Sequence, residues 1–239
     1  MQKNYFQIHN KDFYLFRHHT NEIGVFTKEI MKQLNGKTIS TFLDIGAGSG
    51  ELTKALNAKL NIKKIVAIDK EIPVKKINHD IVFLKNDWVN FAYPERFDLI
   101  LSCHSIAYLP SKQIKKAIEK IYNYLKPKGI AIIIIYNNSD KTVWSLFKKI
   151  FYPKGDVSTS SHIEPIINNY PAKEKCFLTK VYSDNLEQMF QIGKFLAEKH
   201  LPLYLNKESE VKEFFKKYQN QNKKIILPLE HKMFIIYKK

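Results

Sequence analysis

Thr41 to Thr53 reads TFLDIGAGSGELT, an apolar pentad running into Gly46, Gly48 and Gly50, spaced two apart. Five residues rich in apolar side chains predict a buried strand, and the periodicity of Glu51 to Leu60 predicts a helix. A strand that ends in a glycine turn and opens a helix lets backbone N–H groups and a helix N-terminus approach a ligand closely. In an open parallel sheet the carboxyl end of the first strand is also where ligands bind. A dinucleotide fingerprint requires G-x-G-x-x-G/A, whereas here the glycines read G-x-G-x-G and Glu51 follows the last. Asp44 precedes the turn inside the strand. A carboxylate there repels a pyrophosphate and suits a ligand bearing an ammonium or sulfonium.

Outward from this stretch, strand and helix alternate. On the amino-terminal side, Ile23, Phe26, Ile30, Met31 and Leu34 keep the helical period from Glu22 until Gly36 stops it. On the other side KKIVAID, DIVFL and FDLILS read as further strands. Ser111 to Lys126 carries Ile114, Ala117, Ile118, Ile121, Tyr122 and Leu125 on one stripe, ended by Pro127 and Gly129. IAIIIIY, apolar on both faces, reads as a central strand covered on both sides. Such alternation predicts an α/β fold, a parallel sheet with helices on both faces. After Tyr136 come polar turns, a short amphipathic stretch around Val143 to Ile150 and a loop at Pro153 to Ser161. A strand at Cys176 to Tyr182, helices near Leu186 to Lys199 and Glu208 to Tyr218, and a final strand at Met233 to Tyr237 follow.

Two further acidic positions fall where a nucleoside needs them. Asp69 ends the second strand about twenty positions beyond the glycines, the place of a ribose acceptor. Asp87, with Trp88 beside it, follows the third strand and offers an acceptor to an adenine amino group. The indole fits adenine or the apolar core equally.

At this point the chain resembles the class I S-adenosylmethionine-dependent methyltransferases. LDIGAGSGELT, VAIDK, LKNDW and FDLILSCHSIAYL look like the first four motifs of that family, and LKPKGIAIIIIY like the strand after them, over residues 38–136. The resemblance implies a Rossmann-like seven-stranded, mostly parallel sheet whose last strand, KMFIIYKK, runs antiparallel. It also implies S-adenosylmethionine as cofactor. Asp44, Gly46, Ala47, Gly48 and Gly50 would then surround the methionine end, Asp69 and Lys70 the ribose, Asp87 and Trp88 the adenine, and Ser102 the end of the fourth strand. The expected organisation is a single domain over 1–239. It comprises a helical amino-terminal lid (1–37), a cofactor-binding core (38–136), and substrate-side insertions with the last strands (137–239).

A narrower resemblance is to the histamine N-methyltransferase group. It is carried by Phe16-Arg17-His18-His19-Thr20-Asn21-Glu22, by Trp144 to Lys149, and by Lys224 to Ile236. Asn21 is an extra residue before the carboxylate, Glu22, that grips the amine in that group.

Composition bounds the remaining choices. The 239 residues are 44% hydrophobic, and no apolar run approaches the eighteen or so needed to span a bilayer. The first residues lack a signal peptide's apolar segment, and Cys103 and Cys176 lie far apart, so a cytoplasmic protein with reduced thiols is expected, and a monomer is the expected state. Thirty-nine Lys and Arg against 23 Asp and Glu leave a net charge of +16. Nucleic acid is thereby a partner class, but the lysines are dispersed doublets, which suit a solvated face. After the fourth strand stands Ser102-Cys103-His104-Ser105 rather than the [N/D]-P-P-[Y/F] that holds a flipped base.

Methyl transfer from a sulfonium needs positioning in a dry pocket more than covalent help, and a base only to keep the acceptor neutral. His104 and Tyr108 are placed to face the methyl group, and Glu22, His18 and His19 to close over the acceptor. The alternative readings are that His104 caps a backbone carbonyl at a helix start and that His18-His19 are exposed loop residues. The expected activity is N-methylation of a small amine or imidazole. An RNA- or protein-directed methyltransferase and a non-catalytic cofactor-binding protein are the alternatives.

Overall fold

The computed structural model describes residues 11–70, 81–137, 160–197 and 201–239. In chain order the strands are β1 (Thr41–Ile45), β2 (Lys64–Asp69), β3 (Ile81–Lys85), β4 (Phe97–Cys103), β5 (Leu125–Tyr136), β6 (Ala172–Ser183) and β7 (Ile225–Tyr237). The helices are α1 (Glu22–Leu34), α2 (Glu51–Leu60), α3 (Ser111–Asn123), α4 (Ser160–Ile167), α5 (Leu186–Ala197), α6 (Leu201–Asn206) and α7 (Glu208–Lys216), preceded by helical residues 11–18. One seven-stranded sheet of order β3-β2-β1-β4-β5-β7-β6 results. Strands β1 to β5 pair in parallel, and β7 runs antiparallel to β5, as the family resemblance implied.

The chain divides into two units. One comprises the described parts of residues 23–137, 157–177 and 231–239. Its strands are apolar on both sides because both faces are covered. In β5, Ala131, Ile133 and Ile135 pack with Leu43, Ile45 and the α3 stripe of Ile114, Ala117, Ile118 and Ile121. The alternate Ile130, Ile132 and Ile134 pack with Phe42, with Phe26, Ile30 and Leu34 of α1, and with Leu52 and Leu56 of α2. The strand order reverses between β1 and β4, so the residues after both strands open on one crevice.

The other unit comprises the described parts of residues 11–22 and 178–230. Thr20 bridges Val181, and Asn21 N–H donates to the Lys180 carbonyl at 3.2 Å, which covers the strand's open edge. Helices α5 and α6 pack closely there because Gly193 leaves space for the Tyr204 ring, whose hydroxyl donates to the Phe190 carbonyl at 2.7 Å.

Five boundaries differ from the sequence reading. Helix α3 ends at Asn123, short of Lys126, and β5 begins at Leu125, pairing with Phe97 before the register shifts. Pro127 is tolerated in the strand because it lies at that irregularity. The last two strands are longer than expected, β6 beginning at Ala172 and β7 at Ile225. Helix α7 ends at Lys216 rather than Tyr218. His9, the stretch from Val143 to Ile150 and most of the loop from Pro153 to Ser161 lie outside the described residues.

Candidate active site

The glycine turn is built from three left-handed residues, Gly46, Gly48 and Gly50, with φ of 71°, 53° and 72°. Gly46 N–H donates to the Ile68 carbonyl at 2.7 Å, tying the turn to β2, and Gly50 caps α2. The glycines serve different ends. A Cβ on Gly46 would lie 2.2 Å from Ser105 Cβ, so this glycine clears space for the protein's own chain. A Cβ on Gly48 would meet nothing within 4 Å, so that side of the turn is open. Ala47 between them donates its N–H to the Ile68 carbonyl at 3.2 Å.

Two carboxylates flank the turn. Asp44 is only 3% exposed, and Thr53 Oγ1 donates to its Oδ2 at 2.5 Å. Burial pushes the Asp44 carboxyl up to about 7, against the Thr53 hydrogen bond and with help from the nearby charge of Asp69. Asp69, at the end of β2, accepts the Gly48 N–H through Oδ2 at 2.8 Å. Its backbone carbonyl accepts Asn86 N–H at 2.9 Å, which brings the loop after β3 alongside. In that loop Asp87 pairs with Lys70 at 3.2 Å and accepts Val89 N–H at 3.1 Å. Trp88 is 8% exposed and packs in the core, so the indole supports the loop from below. Lys120 of α3, which the sequence reading missed, donates to the carbonyls of Trp88 at 2.6 Å, Val89 at 3.0 Å and Phe91. Its place on the helix stripe of charged residues gave no signal of this role.

Across the crevice, Ser102 and Ser105 join hydroxyls at 2.7 Å, and Ser105 donates to the Ile45 carbonyl at 2.7 Å. These bonds lock the 3₁₀ segment Ser105–Tyr108 onto the glycine turn. His104 opens that segment with φ 59°, a left-handed conformation a non-glycine residue holds only where its surroundings enforce it. Its N–H donates to the Ile134 carbonyl at 2.8 Å, and its ring lies 4.4 Å from that of Tyr136. Tyr108 is 62% exposed at the end of the segment.

The N-terminal candidates divide. Glu22 is buried at the start of α1 and accepts from Arg17 Nη1 at 2.9 Å. His19 donates through Nδ1 to the Leu15 carbonyl at 2.8 Å, and its Nε2 lies 3.1 Å from the Gln188 amide nitrogen. His18 is exposed.

The donor set fits a nucleoside carrying a cationic amino-acid tail: an open glycine face, a buried carboxylate behind it, and two further carboxylates along the adjacent strand ends. A sequence family described as a methyltransferase domain matches residues 42–129. The chain is 30% identical over 201 residues to phosphoethanolamine N-methyltransferase of Plasmodium falciparum (isolate 3D7), an alignment covering 80% of this chain and 72% of that one. The chain belongs to the S-adenosylmethionine-dependent methyltransferases.

The methyltransferase fold recurs in solved structures of low identity. A protein of Bacillus halodurans C-125, solved as a candidate methyltransferase, is 14% identical with a TM-score of 0.61, over 89% of this chain and 98% of that one. The N-methyltransferase NodS of Bradyrhizobium japonicum WM9, in complex with S-adenosyl-L-homocysteine, is 16% identical with a TM-score of 0.53, over 90% and 86%. The curated relative is thus a phosphoethanolamine enzyme, and the narrower likeness to the histamine group gives way to it. Among the described residues no helix of this methyltransferase is long and apolar enough to cross a membrane.

Proposed function

We propose that this methyltransferase transfers the methyl group to the nitrogen of a small amine, with phosphoethanolamine the first acceptor to test. The observation that carries the reading is the seating of Ser105 in the notch at Gly46. It fixes the segment bearing His104 and Tyr108 against the glycine turn, which supports the reading that these side chains face the methyl group of a cofactor held there. S-adenosylmethionine, when bound, supplies an electrophilic methyl. The chain's own residues bind and orient it: Asp44 and the Gly48 side of the turn take the cationic tail, Asp69 the ribose hydroxyls, and Asp87 the adenine amino group.

Acceleration then comes from alignment and exclusion of water. A neutral amine is the attacking form, and His104, with its ring against Tyr136, is placed to accept the proton that the methylated nitrogen releases. The N-methyltransferases named above support nitrogen as the acceptor atom. The net charge of +16 favours the alternative, an RNA- or protein-directed enzyme. Against it, Lys64, Lys126, Lys175, Lys212 and Lys232 are engaged with carboxylates in ion pairs.

Labelled methyl transfer, run in parallel on phosphoethanolamine, ethanolamine, histamine, total RNA and a cell protein extract, tests the reading. Label in phosphoethanolamine or another of these amines supports it. Label confined to RNA or protein overturns it.

A further inference from the structure

The buried face of β7 is apolar at Ile225, Leu227, Leu229, Met233 and Ile235, and His231 interrupts it. The side chain is 0% exposed. A buried imidazole must be desolvated, and an apolar residue of similar volume fills such a slot at lower cost. The position is also the one where the antiparallel ladder of β7 meets the end of β5, His231 standing directly opposite Tyr136. It therefore lies at the carboxyl edge of the parallel strands, the edge that carries the site.

Four aromatic rings pack around it. Phe26 of α1 is 4.9 Å away at 84°, Tyr136 5.1 Å at 32°, His104 5.4 Å at 65° and Phe177 of β6 5.5 Å at 23°. Phe26 is fully buried, whereas His104, Tyr136 and Phe177 are partly exposed. His231 and Phe26 thus form the floor of a ring cluster whose upper members face outward. The Phe26 and His104 contacts are edge-on and the Tyr136 and Phe177 contacts are tilted or stacked, arrangements that fix ring orientation through the ring quadrupoles. Burial, and then the proximity of His104, hold the His231 imidazole well below its ordinary value and so neutral.

We infer that His231 is a positioning residue for methyl transfer, holding the rings of His104 and Tyr136 in the orientation that faces the acceptor. The inference rests on the reading of His104 as acceptor-facing. His231 itself touches neither acceptor nor cofactor. Its cost in burial is retained because a polar ring, and not an aliphatic one, sets the His104 side chain.

The test compares wild type with His231→Phe, His231→Asn and His231→Gln in the full chain. It measures melting temperature, S-adenosylmethionine Kd, kcat and KM on phosphoethanolamine, and nuclear Overhauser contacts between the His104 and Tyr136 rings. His231→Phe should melt no lower than wild type and bind cofactor within about twofold, yet lose about tenfold to a hundredfold in kcat. Its His104–Tyr136 contacts should weaken, and Asn or Gln should recover part of the rate. A merely structural histidine would show the reverse, with activity following stability. A wild-type kcat and unchanged ring contacts in His231→Phe overturn the inference. If the Phe variant fails to fold, the Asn and Gln variants decide: a kcat reduced but not abolished at unchanged cofactor Kd upholds it, and full kcat overturns it. If wild type leaves phosphoethanolamine unlabelled, that acceptor reading falls, and the ring contacts alone decide the role of His231.

Discussion

Ser105 Cβ occupies the space that a side chain at Gly46 would need, the two positions lying 2.2 Å apart. The first glycine of the turn is therefore a packing requirement of the protein, while the second, Gly48, borders open space. Gly46→Ala must displace the segment bearing His104 and also strain a φ of 71°. It should lower stability by about 3 kcal/mol or more, with cofactor binding lost alongside. Gly48→Ala meets no atom and pays only backbone strain, about 1 kcal/mol, so it should fold and bind cofactor more weakly. Thermal melts paired with calorimetric titration of S-adenosylmethionine separate the two. Equal melting temperatures for both variants would contradict the different roles.

Asp69 holds the turn and is placed to hold the ribose. Asp69→Ala removes the acceptor of the Gly48 N–H bond at 2.8 Å and, on the proposed reading, a charge-assisted contact to the cofactor. Its S-adenosylmethionine Kd should rise about tenfold. An unchanged Kd would take the ribose role away from this carboxylate.

The pH dependence follows from Asp44. Its carboxyl titrates near 7 in the folded chain, against about 4 in an unfolded one. Between these values the folded state holds a proton the unfolded state has released, so stability falls as pH rises through this window. A cationic ligand prefers the ionised carboxylate. S-adenosylmethionine should therefore raise the melting temperature more at pH 8 than at pH 6, and Asp44→Asn should flatten the difference. An equal rise at both pH values would remove Asp44 from cofactor recognition.

Lys120 clamps the loop that carries Asp87 through three backbone carbonyls. Lys120→Met keeps the stem and frees the acceptors, so stability should drop by about 2 kcal/mol and the cofactor Kd rise several-fold. Lys120→Arg, which still donates, should restore part of both. Cofactor affinity untouched by the Met variant would show that the loop keeps its shape without the clamp.

Arg17 and Glu22 form a largely buried pair, the side chains 17% and 3% exposed. Arg17→Ala leaves a carboxylate buried without its guanidinium and should destabilise the chain by about 3 kcal/mol. A chemical-denaturation midpoint within error of wild type would show that the pair adds nothing.

Much of the fold was legible because the relevant signals are local. The apolar pentad before Gly46, the stripe of α3 and the two-faced run of β5 each state their own burial. The end of α3 was misjudged at Tyr124 and Leu125 because the stripe continues across the break, and only pairing of Leu125 with Phe97 ends the helix. Trp88 was ambiguous for the same reason. Its neighbours in the core lie on other elements, and no spacing within LKNDW reveals them. His231 was missed altogether, since a single histidine in an amphipathic strand carries no local mark.

By itself, then, the sequence determined the α/β alternation, the glycine turn, and the carboxylates Asp44, Asp69 and Asp87 at successive strand ends. Each of these is a property of a short stretch, fixed by periodicity and by the backbone freedom of glycine. Only the tertiary structure decided that Gly46 makes room for Ser105, that Lys120 reaches the loop after Asp87, and that His231 stands opposite Tyr136. Those pairings join residues far apart along the chain. They depend on strand order and register, which side-chain volume and hydrogen bonding settle only once the sheet is assembled.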